Sequence, residues 1–152
     1  LRHYPSNENF FRAMQVTLNG LQFYYDDEAE YPAGHILLRE GQSQSCIYVL
    51  KKGSVKILKD GQEIALLDKR GEMFGEISAL TGIECTTTVR VNEASQFFMI
   101  EDSEEFLVQN PSTTLFIAKM LARRLTATTR SHSLFQKEVL ELSKEDKGHS
   151  PM

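Results

Sequence analysis

Residues 71–91, with the sequence GEMFGEISALTGIECTTTVRV, decide the fold, and the rest of the chain is arranged around them. The stretch begins with a glycine-bounded turn and continues as a short helix, predicted to start at Glu76 and to end at Gly82. It finishes as a threonine-rich strand. Gly75 lets the backbone bend where a side chain would obstruct a ligand, and Gly82 suits a left-handed helix C-terminus. Because a helix N-terminus presents unpaired N–H groups and partial positive charge, the segment is suited to hold an anion such as phosphate.

Glu76 is an unexpected residue at such a helix start, because a carboxylate repels phosphate. Its presence makes sense if the ligand also donates a hydroxyl group, as a ribose does. Phe74 is an apolar residue that anchors the turn. Two plainer interpretations stay open: the Glu76 carboxylate caps its own helix, and Gly75 serves the fold alone.

The segment resembles the phosphate-binding cassette of cyclic nucleotide-binding domains, the family of catabolite activator proteins and of the regulatory subunits of cyclic-AMP-dependent kinase. That pattern is Phe-Gly-Glu, a few apolar or small residues, a loop, then Arg, small residues and a strand. Phe74-Gly75-Glu76 and residues 77–80 match it. The resemblance implies that Glu76 accepts a ribose hydroxyl and that backbone N–H groups of the helix start hold the cyclic phosphate. The implied ligand-binding residues are Phe74, Gly75, Glu76, Ile77, Ser78, Cys85, Thr86, Thr87, Arg124, Thr128 and Thr129.

Cys85 stands where the family has the Arg that pairs with the cyclic phosphate. Losing that pair removes charge-assisted hydrogen bonds of about 1.5–3 kcal/mol, or roughly ten- to a hundredfold in affinity. The hydroxyls of Thr86 and Thr87 would supply part of the missing contact, and Arg124 is a candidate substitute cation. Two alternatives for Cys85 are a reactive thiol whose pKa an anion-attracting pocket lowers, and a small residue that fills space.

Composition places the chain among ordinary soluble, single-domain proteins. It has 152 residues, of which 41% are hydrophobic and 25% charged, and a net charge of −4 that gives no electrostatic footprint for nucleic acid. No apolar run approaches the ~20 residues that span a bilayer. Two cysteines make no metal pattern and indicate a reduced cytoplasmic setting, although a single disulfide is not excluded. The scattered histidines form no metal cluster or catalytic triad, so we predict that the protein is not an enzyme.

The N-terminal third is predicted to contain a helix and a loop. Residues 9–21 carry apolar side chains at spacings of three and four from Phe11, which predicts a short helix packed on the core. The acidic run at residues 26–30 lacks the spacing and central glycine of a calcium loop, and it is interpreted as a solvated loop.

Between residues 31 and 100 the sequence consists of short apolar strands separated by glycine turns, which favours a small antiparallel barrel or sandwich. Asp60-Gly61 between two apolar runs predicts a hairpin. The phrases at residues 33–41 and 47–57 also resemble the family's β-roll, which implies a mainly β fold of the double-stranded β-helix or jelly-roll type. The predicted strands are 35–39, 46–51, 54–58, 63–67, 86–92 and 96–100.

A second short helix is predicted after Asp102 or Ser103, and Pro111 sits where a first-turn proline is tolerated at the start of a long helix. The long helix carries an a/d seam, which predicts a homodimer through residues 111–142. Thr128 and Thr129 occupy the places at which the activator branch of the family contacts the adenine. The seam residues are Ala118, Leu121, Leu125, Thr128, His132, Phe135, Val139 and Leu142.

These observations divide the chain into a helical segment (1–22), a β-roll (23–109), a dimerisation helix (110–143) and a disordered tail (144–152). With no helix-turn-helix after the β-roll, a complete transcription factor is not expected. The leading hypothesis is a non-catalytic regulatory module that binds cAMP or cGMP, has no further cofactor and acts on an unknown output partner. The alternatives are a degenerate domain serving as a dimerisation or docking scaffold, and an anion or redox sensor centred on Cys85.

Overall fold

A computed structural model describes residues 14–129, which form ten strands and three helices. The helices are α1 (Glu76–Thr81), α2 (Ser103–Gln109) and α3, which occupies residues 111–129. The strands are β1 (Met14–Leu18), β2 (Leu21–Tyr25), β3 (Asp27–Tyr31), β4 (Ile36–Leu38), β5 (Ile47–Lys52), β6 (Val55–Lys59), β7 (Gln62–Leu67), β8 (Met73–Phe74), β9 (Thr88–Val91) and β10 (Ser95–Ile100).

The strands form a two-stranded hairpin and two four-stranded antiparallel sheets. One sheet has the order β3-β10-β5-β8 and the other the order β4-β9-β6-β7. A single apolar cluster contains residues of both sheets, among them Leu38, Val55 and Val89 from one and Leu50 and Phe97 from the other. The two sheets therefore face each other across this core, as the predicted β-roll requires.

Strand β10 is buried on both faces. Phe97 points into the core between the sheets, whereas Phe98 faces the ring of Tyr25, with 4.6 Å between ring centroids. Phe23 lies 5.1 Å from Phe116 in an edge-on arrangement. This second, aromatic cluster attaches the hairpin of β1 and β2 and the first turns of α3 to the roll.

The predicted helix over residues 9–21 is wrong in its described part. Residues 14–18 form β1, which pairs with β2 so that Leu18 lies opposite Leu21. The two residues between them, Asn19 and Gly20, have φ angles of 49° and 79°. Two consecutive positive φ angles define the type I′ turn that Asn-Gly favours in hairpins. The Asn19-Gly20 turn therefore determines a hairpin here, although the spacing of the apolar residues favoured a helix.

The acidic run at residues 26–30 is a strand, so its interpretation as a solvated loop is also wrong. Strand β3 pairs with β10 along its whole length. Ala29 and Tyr31 pack against the core, while the intervening Glu28 and Glu30 are exposed. An edge strand tolerates charges on its outer face, which is why an acidic sequence forms a strand here.

The other predicted strands and the two short helices are confirmed to within two residues of their expected ends, and the long helix is confirmed over residues 111–129, because its predicted end lies outside the described residues. The chain divides into two compact units, residues 1–116 and 117–152, and the sequence of α3 begins in the first unit and continues in the second. The predicted tail and the last four seam positions lie outside the described residues. None of the helices in the described part of the chain has the length and apolar character needed to cross a membrane.

A candidate ligand-binding cassette

The cassette begins with a turn that only glycine can occupy. Gly75 precedes α1 with φ 82° and ψ 1°, in the left-handed region. A Cβ atom at this position would lie 2.7 Å from Nε2 of Gln44 and 2.8 Å from the carbonyl oxygen of Cys46. Such distances are far below van der Waals contact, so the space beside Gly75 is fully taken.

Helix α1 presents its first turn immediately after this glycine. Glu76 is its first residue and is only 4% exposed, although it is a carboxylate. The residue before the helix, Gly75, provides no side-chain cap. Glu76 is the acidic residue of the first turn and has a polar or electrostatic partner in the described part of the chain, so the interpretation that its carboxylate stabilises its own helix start stays open. The first N–H groups of any helix have no acceptor within the helix, and within residues 14–129 the N–H of Ile77 donates to no protein atom. The helix ends at Gly82, whose φ of 76° is the predicted left-handed cap.

Two of the predicted site residues have structural contacts of their own. The Phe74 ring, 4% exposed, lies in the core between the sheets, where it fixes the position of the turn. Ser78 is equally buried, and its hydroxyl accepts from the backbone N–H of Gln44 at 3.1 Å and donates to the Gln44 carbonyl at 3.3 Å. Both residues therefore hold the cassette in place.

Cys85 is packed in the apolar core rather than directed to solvent. It is 9% exposed and belongs to the same cluster as Leu38, Phe74 and Val89. Its backbone is fixed by the loop that begins at Gly41: Gly41 N–H donates to the Cys85 carbonyl at 2.8 Å, and Cys85 N–H donates to the Gln42 carbonyl at 2.9 Å. The cysteine is not disulfide-bonded. Reactive cysteines are typically part-exposed, whereas buried ones are inert, so the space-filling interpretation fits this residue best.

The segment after Cys85 is tied to the end of β6. Lys59 Nζ donates to the Thr86 carbonyl at 2.9 Å and pairs with Glu40 Oε2 at 3.1 Å. The hydroxyls of Thr86 and Thr87 form no hydrogen bond to any other residue in the described range. Glu40 also accepts from the N–H of Asp60, and these hydrogen bonds hold the pKa of the Glu40 carboxyl below its usual range.

The remaining predicted contacts lie in the second compact unit. Arg124, Thr128 and Thr129 are all in the helical part of that unit. Thr128 and Thr129 are exposed, and Arg124 is half-buried and has a polar or electrostatic partner. Their roles toward a ligand stay predictions.

The structure adds to the cassette one residue that no sequence pattern marks, Gln44. Gln44 lies in the loop before β5, and its side chain contacts Gly75 although 31 positions separate the two residues. No local pattern marks a single glutamine in a polar loop, since the contact exists only once the sheet has folded. Nothing short of the three-dimensional structure would have found it.

A short helix opened by a left-handed glycine, joined to a roll of two antiparallel sheets, is the arrangement that residues 71–91 predicted. The family model "Cyclic nucleotide-binding domain" matches residues 28–107, just over half of the chain. The chain belongs to the cyclic nucleotide-binding domain family. The resemblance predicted from residues 71–91 and the β-roll that it implied are therefore confirmed.

Individual relatives agree with this assignment. The chain is 28% identical, over 67% of its own length and 48% of the relative's, to a CRP-like cAMP-activated global transcriptional regulator of Mycobacterium tuberculosis. It is 25% identical, over 62% of its length, to 7% of a lysophospholipase nte1 of Neurospora crassa. The crystal structure of the Thermus thermophilus catabolite activator protein superposes with a TM-score of 0.62 at 26% identity, covering 72% of this chain and 55% of that one. The chain thus spans about half the length of the regulator that it matches.

Proposed function

We propose that this chain is a non-catalytic regulatory module that binds a cyclic nucleotide, with cAMP as the leading ligand and cGMP as the alternative. The observation that carries the proposal is the turn at Gly75, held in the left-handed region directly before the buried carboxylate of Glu76. The name of the Mycobacterium tuberculosis relative, a cAMP-activated regulator, supports the choice of cAMP. The lysophospholipase relative is matched over a small fraction of its length, so it gives no support to an enzymatic role. A cytoplasmic location stays a prediction.

In this proposal the two ends of the sugar-phosphate ring meet different groups of the cassette. The Glu76 carboxylate accepts a hydrogen bond from the ribose 2′-hydroxyl. The backbone N–H groups from Gly75 to Ile77 and the free hydroxyls of Thr86 and Thr87 hold the cyclic phosphate. Hydrogen bonds from backbone N–H groups to an anion are charge-assisted and stronger than neutral ones. These N–H groups would therefore supply part of the binding energy that an Arg at residue 85 would provide.

We propose that residues in the helix of the second unit contact the base of the nucleotide. Thr128 and Thr129 would contact the adenine, and Arg124 would bring a cation toward the phosphate in place of the absent Arg. Ligand binding would act through a population shift and would involve no chemical step.

We also propose a homodimer through residues 111–142. Three of the four seam positions in the described part of α3 are exposed in the single chain, namely Ala118, Leu125 (70% exposed) and Thr128, while Leu121 is half-buried. Exposed apolar residues at heptad spacing are typical of a two-stranded coiled coil. Leu125→Glu should convert the dimer to a monomer, as measured by sedimentation equilibrium. Thr126→Glu, at the neighbouring exposed residue, should leave the dimer intact. A wild-type protein that is monomeric at all concentrations would refute the dimer.

Calorimetric titration with cAMP, cGMP and 2′-deoxy-cAMP tests the ligand proposal. Wild-type protein should bind cAMP more tightly than 2′-deoxy-cAMP, because only the former has a hydroxyl for Glu76. Glu76→Gln keeps the size of the side chain and removes its charge, so the difference between the two ligands should shrink. No heat with any of the three at millimolar concentration would reject nucleotide binding. A binding heat with the same preference in both proteins would reject the role of Glu76.

One observation favours a second candidate, a scaffold that has kept the fold and lost the ligand. Cys85 is packed among apolar side chains, so the place of the family's cation is occupied by core. If the titrations show no binding while residues 111–142 still dimerise, the chain is a dimerisation or docking unit.

A further inference from the structure

The side chain of Gln44 occupies the space directly beside Gly75 and uses both ends of its amide there. Its Nε2 donates to the Gly75 carbonyl at 3.0 Å, and its Oε1 accepts from the N–H of Cys46 at 2.7 Å. Because one end must donate and the other must accept, the amide has one orientation only. The half-buried side chain is therefore fixed in position and in direction.

The backbone of the same residue is bound to the helix as well. Its N–H and C=O both meet the hydroxyl of Ser78, at 3.1 and 3.3 Å. Gln44 therefore joins the loop to two points in the first turn of α1, through its side chain at Gly75 and through its main chain at Ser78. The loop and the start of α1 are held as one piece.

The bond to Gly75 has a consequence for the neighbouring N–H. The Gly75 carbonyl and the Glu76 N–H belong to one planar trans peptide unit, so they point in opposite directions and move together. Two donors fix this carbonyl: Nε2 of Gln44 and, at 2.9 Å, the N–H of Ala79. Glycine allows its adjoining peptide units to rotate more freely than any other residue does, and in a helix of six residues the Ala79 bond alone is a weak restraint.

We propose that Gln44 is a positioning residue of the cassette. By holding the Gly75 carbonyl it keeps the Glu76 N–H directed toward the ligand side and keeps the buried Glu76 carboxylate in its place. The inference rests on the proposed nucleotide-binding function, since it assigns to Gln44 the orientation of the groups that would hold the phosphate and the ribose. Gln44 itself does not touch the ligand.

Gln44→Glu tests the proposal because it changes little besides the donor. The variant keeps an oxygen for the Cys46 N–H and replaces Nε2 by an oxygen that repels the Gly75 carbonyl. Gln42→Glu is the matched control: it adds the same charge to the same loop, at an exposed side chain that forms no hydrogen bond within the described residues. The measurements are cAMP affinity by calorimetry, the Glu76 amide resonance of the unliganded protein by NMR, and the melting temperature.

We expect Gln44→Glu to lower cAMP affinity at least tenfold and to move the Glu76 amide resonance, while Gln42→Glu leaves both as in the wild type. A lower melting temperature with affinity and resonance unchanged would mean a purely structural role and would overturn the proposal. Equal losses of affinity in both variants would also overturn it, since they would reflect charge alone.

Two further outcomes are decided by the same measurements. If the wild-type protein binds no nucleotide, the proposed function fails, but the Glu76 resonance still decides whether Gln44 orients the peptide: a shift supports the inference and no shift refutes it. If Gln44→Glu does not fold, Gln44→Met removes both polar ends without adding charge, and the same expectations apply to it.

Discussion

At the scale of single residues, we expect a substitution of Cys85 to have the largest effect on ligand affinity. On the proposed correspondence of Cys85 with the family's Arg, Cys85→Arg supplies that cation, so we expect the affinity for the proposed ligand, cAMP, to rise by roughly ten- to a hundredfold. Without ligand the new guanidinium lies against the apolar cluster that holds Cys85. A buried charge without its partner costs about 3–5 kcal/mol, so the melting temperature of the free protein should fall and saturating cAMP should raise it again. Calorimetry and thermal melts with and without nucleotide measure both effects.

The control for this substitution is Cys85→Met, which lengthens the side chain without charge. It should leave cAMP affinity within a few-fold of the wild type. If Cys85→Arg and Cys85→Met change the affinity equally, the phosphate is not bound near this residue, and the correspondence with the family's Arg is incorrect.

Gly75→Ala tests whether the cassette depends on the absence of a side chain. The left-handed φ alone costs an L-residue about 1–2 kcal/mol, and the added Cβ would also meet the Cys46 carbonyl at 2.8 Å. Gly82→Ala, at the other end of the same helix, incurs the strain of a positive φ with no atom within 4 Å. Urea unfolding should show a clearly larger loss of stability for Gly75→Ala, and only this variant should lose cAMP binding. Equal losses of stability would contradict the close contact.

At the scale of elements, the start of α3 is attached to β2 by one buried threonine. Thr113 is fully buried; its hydroxyl accepts from the Tyr24 N–H at 2.6 Å and donates to the Tyr24 carbonyl at 3.0 Å. Thr113→Val keeps the shape and leaves both backbone groups unpaired, which costs about 1–3 kcal/mol per unsatisfied group. Ser112→Ala removes an exposed bond of 2.8 Å to Gln22 and should cost less. Urea unfolding of both variants checks the order, and the reverse order would refute the attachment.

What the sequence could predict at this scale depends on how local the signal is. The Asp60-Gly61 hairpin and the Gly82 cap follow from residues that are neighbours in the chain, and both have the expected positive φ angles. The Asn19-Gly20 hairpin was equally local, but the apolar spacing of residues 9–21 concealed it. Strand β3 could not be predicted from the sequence, because an acidic stretch forms a strand here only through its pairing with β10.

The same distinction applies to the candidate site. Residues 74–78 are consecutive in the chain, so the amino-acid sequence alone displays their pattern. The direction of the Cys85 side chain depends on how two sheets close, and the contact of Gln44 with Gly75 spans 31 positions. Neither leaves a trace in local composition or spacing.

At the scale of the whole molecule, three half-buried acidic groups make the free energy of unfolding depend on pH in the alkaline range. Burial raises the pKa of the Cys46 thiol from its ordinary value of 9.0 to about 12. Burial likewise raises the pKa of Tyr48, whose ring lies beside Cys46, and that of Tyr31. All three groups are neutral when protonated, so the folded state keeps its protons at a pH at which the unfolded chain releases them.

The sign follows from this difference in bound protons. Below pH 9 both states hold the thiol proton and stability does not change; above it the unfolded state binds fewer protons, so the free energy of unfolding decreases as pH rises toward 12. For the thiol alone the loss at pH 10 is on the order of 1 kcal/mol, and the tyrosines add to it. Urea unfolding at pH 7 and pH 10 measures the total. Cys46→Ala should lose less stability than the wild type between these two values, by about the contribution of the thiol. If the wild type and Cys46→Ala lose the same free energy of unfolding between pH 7 and pH 10, the Cys46 thiol has the same pKa in the folded and the unfolded state. The core around β5 would then be open to water.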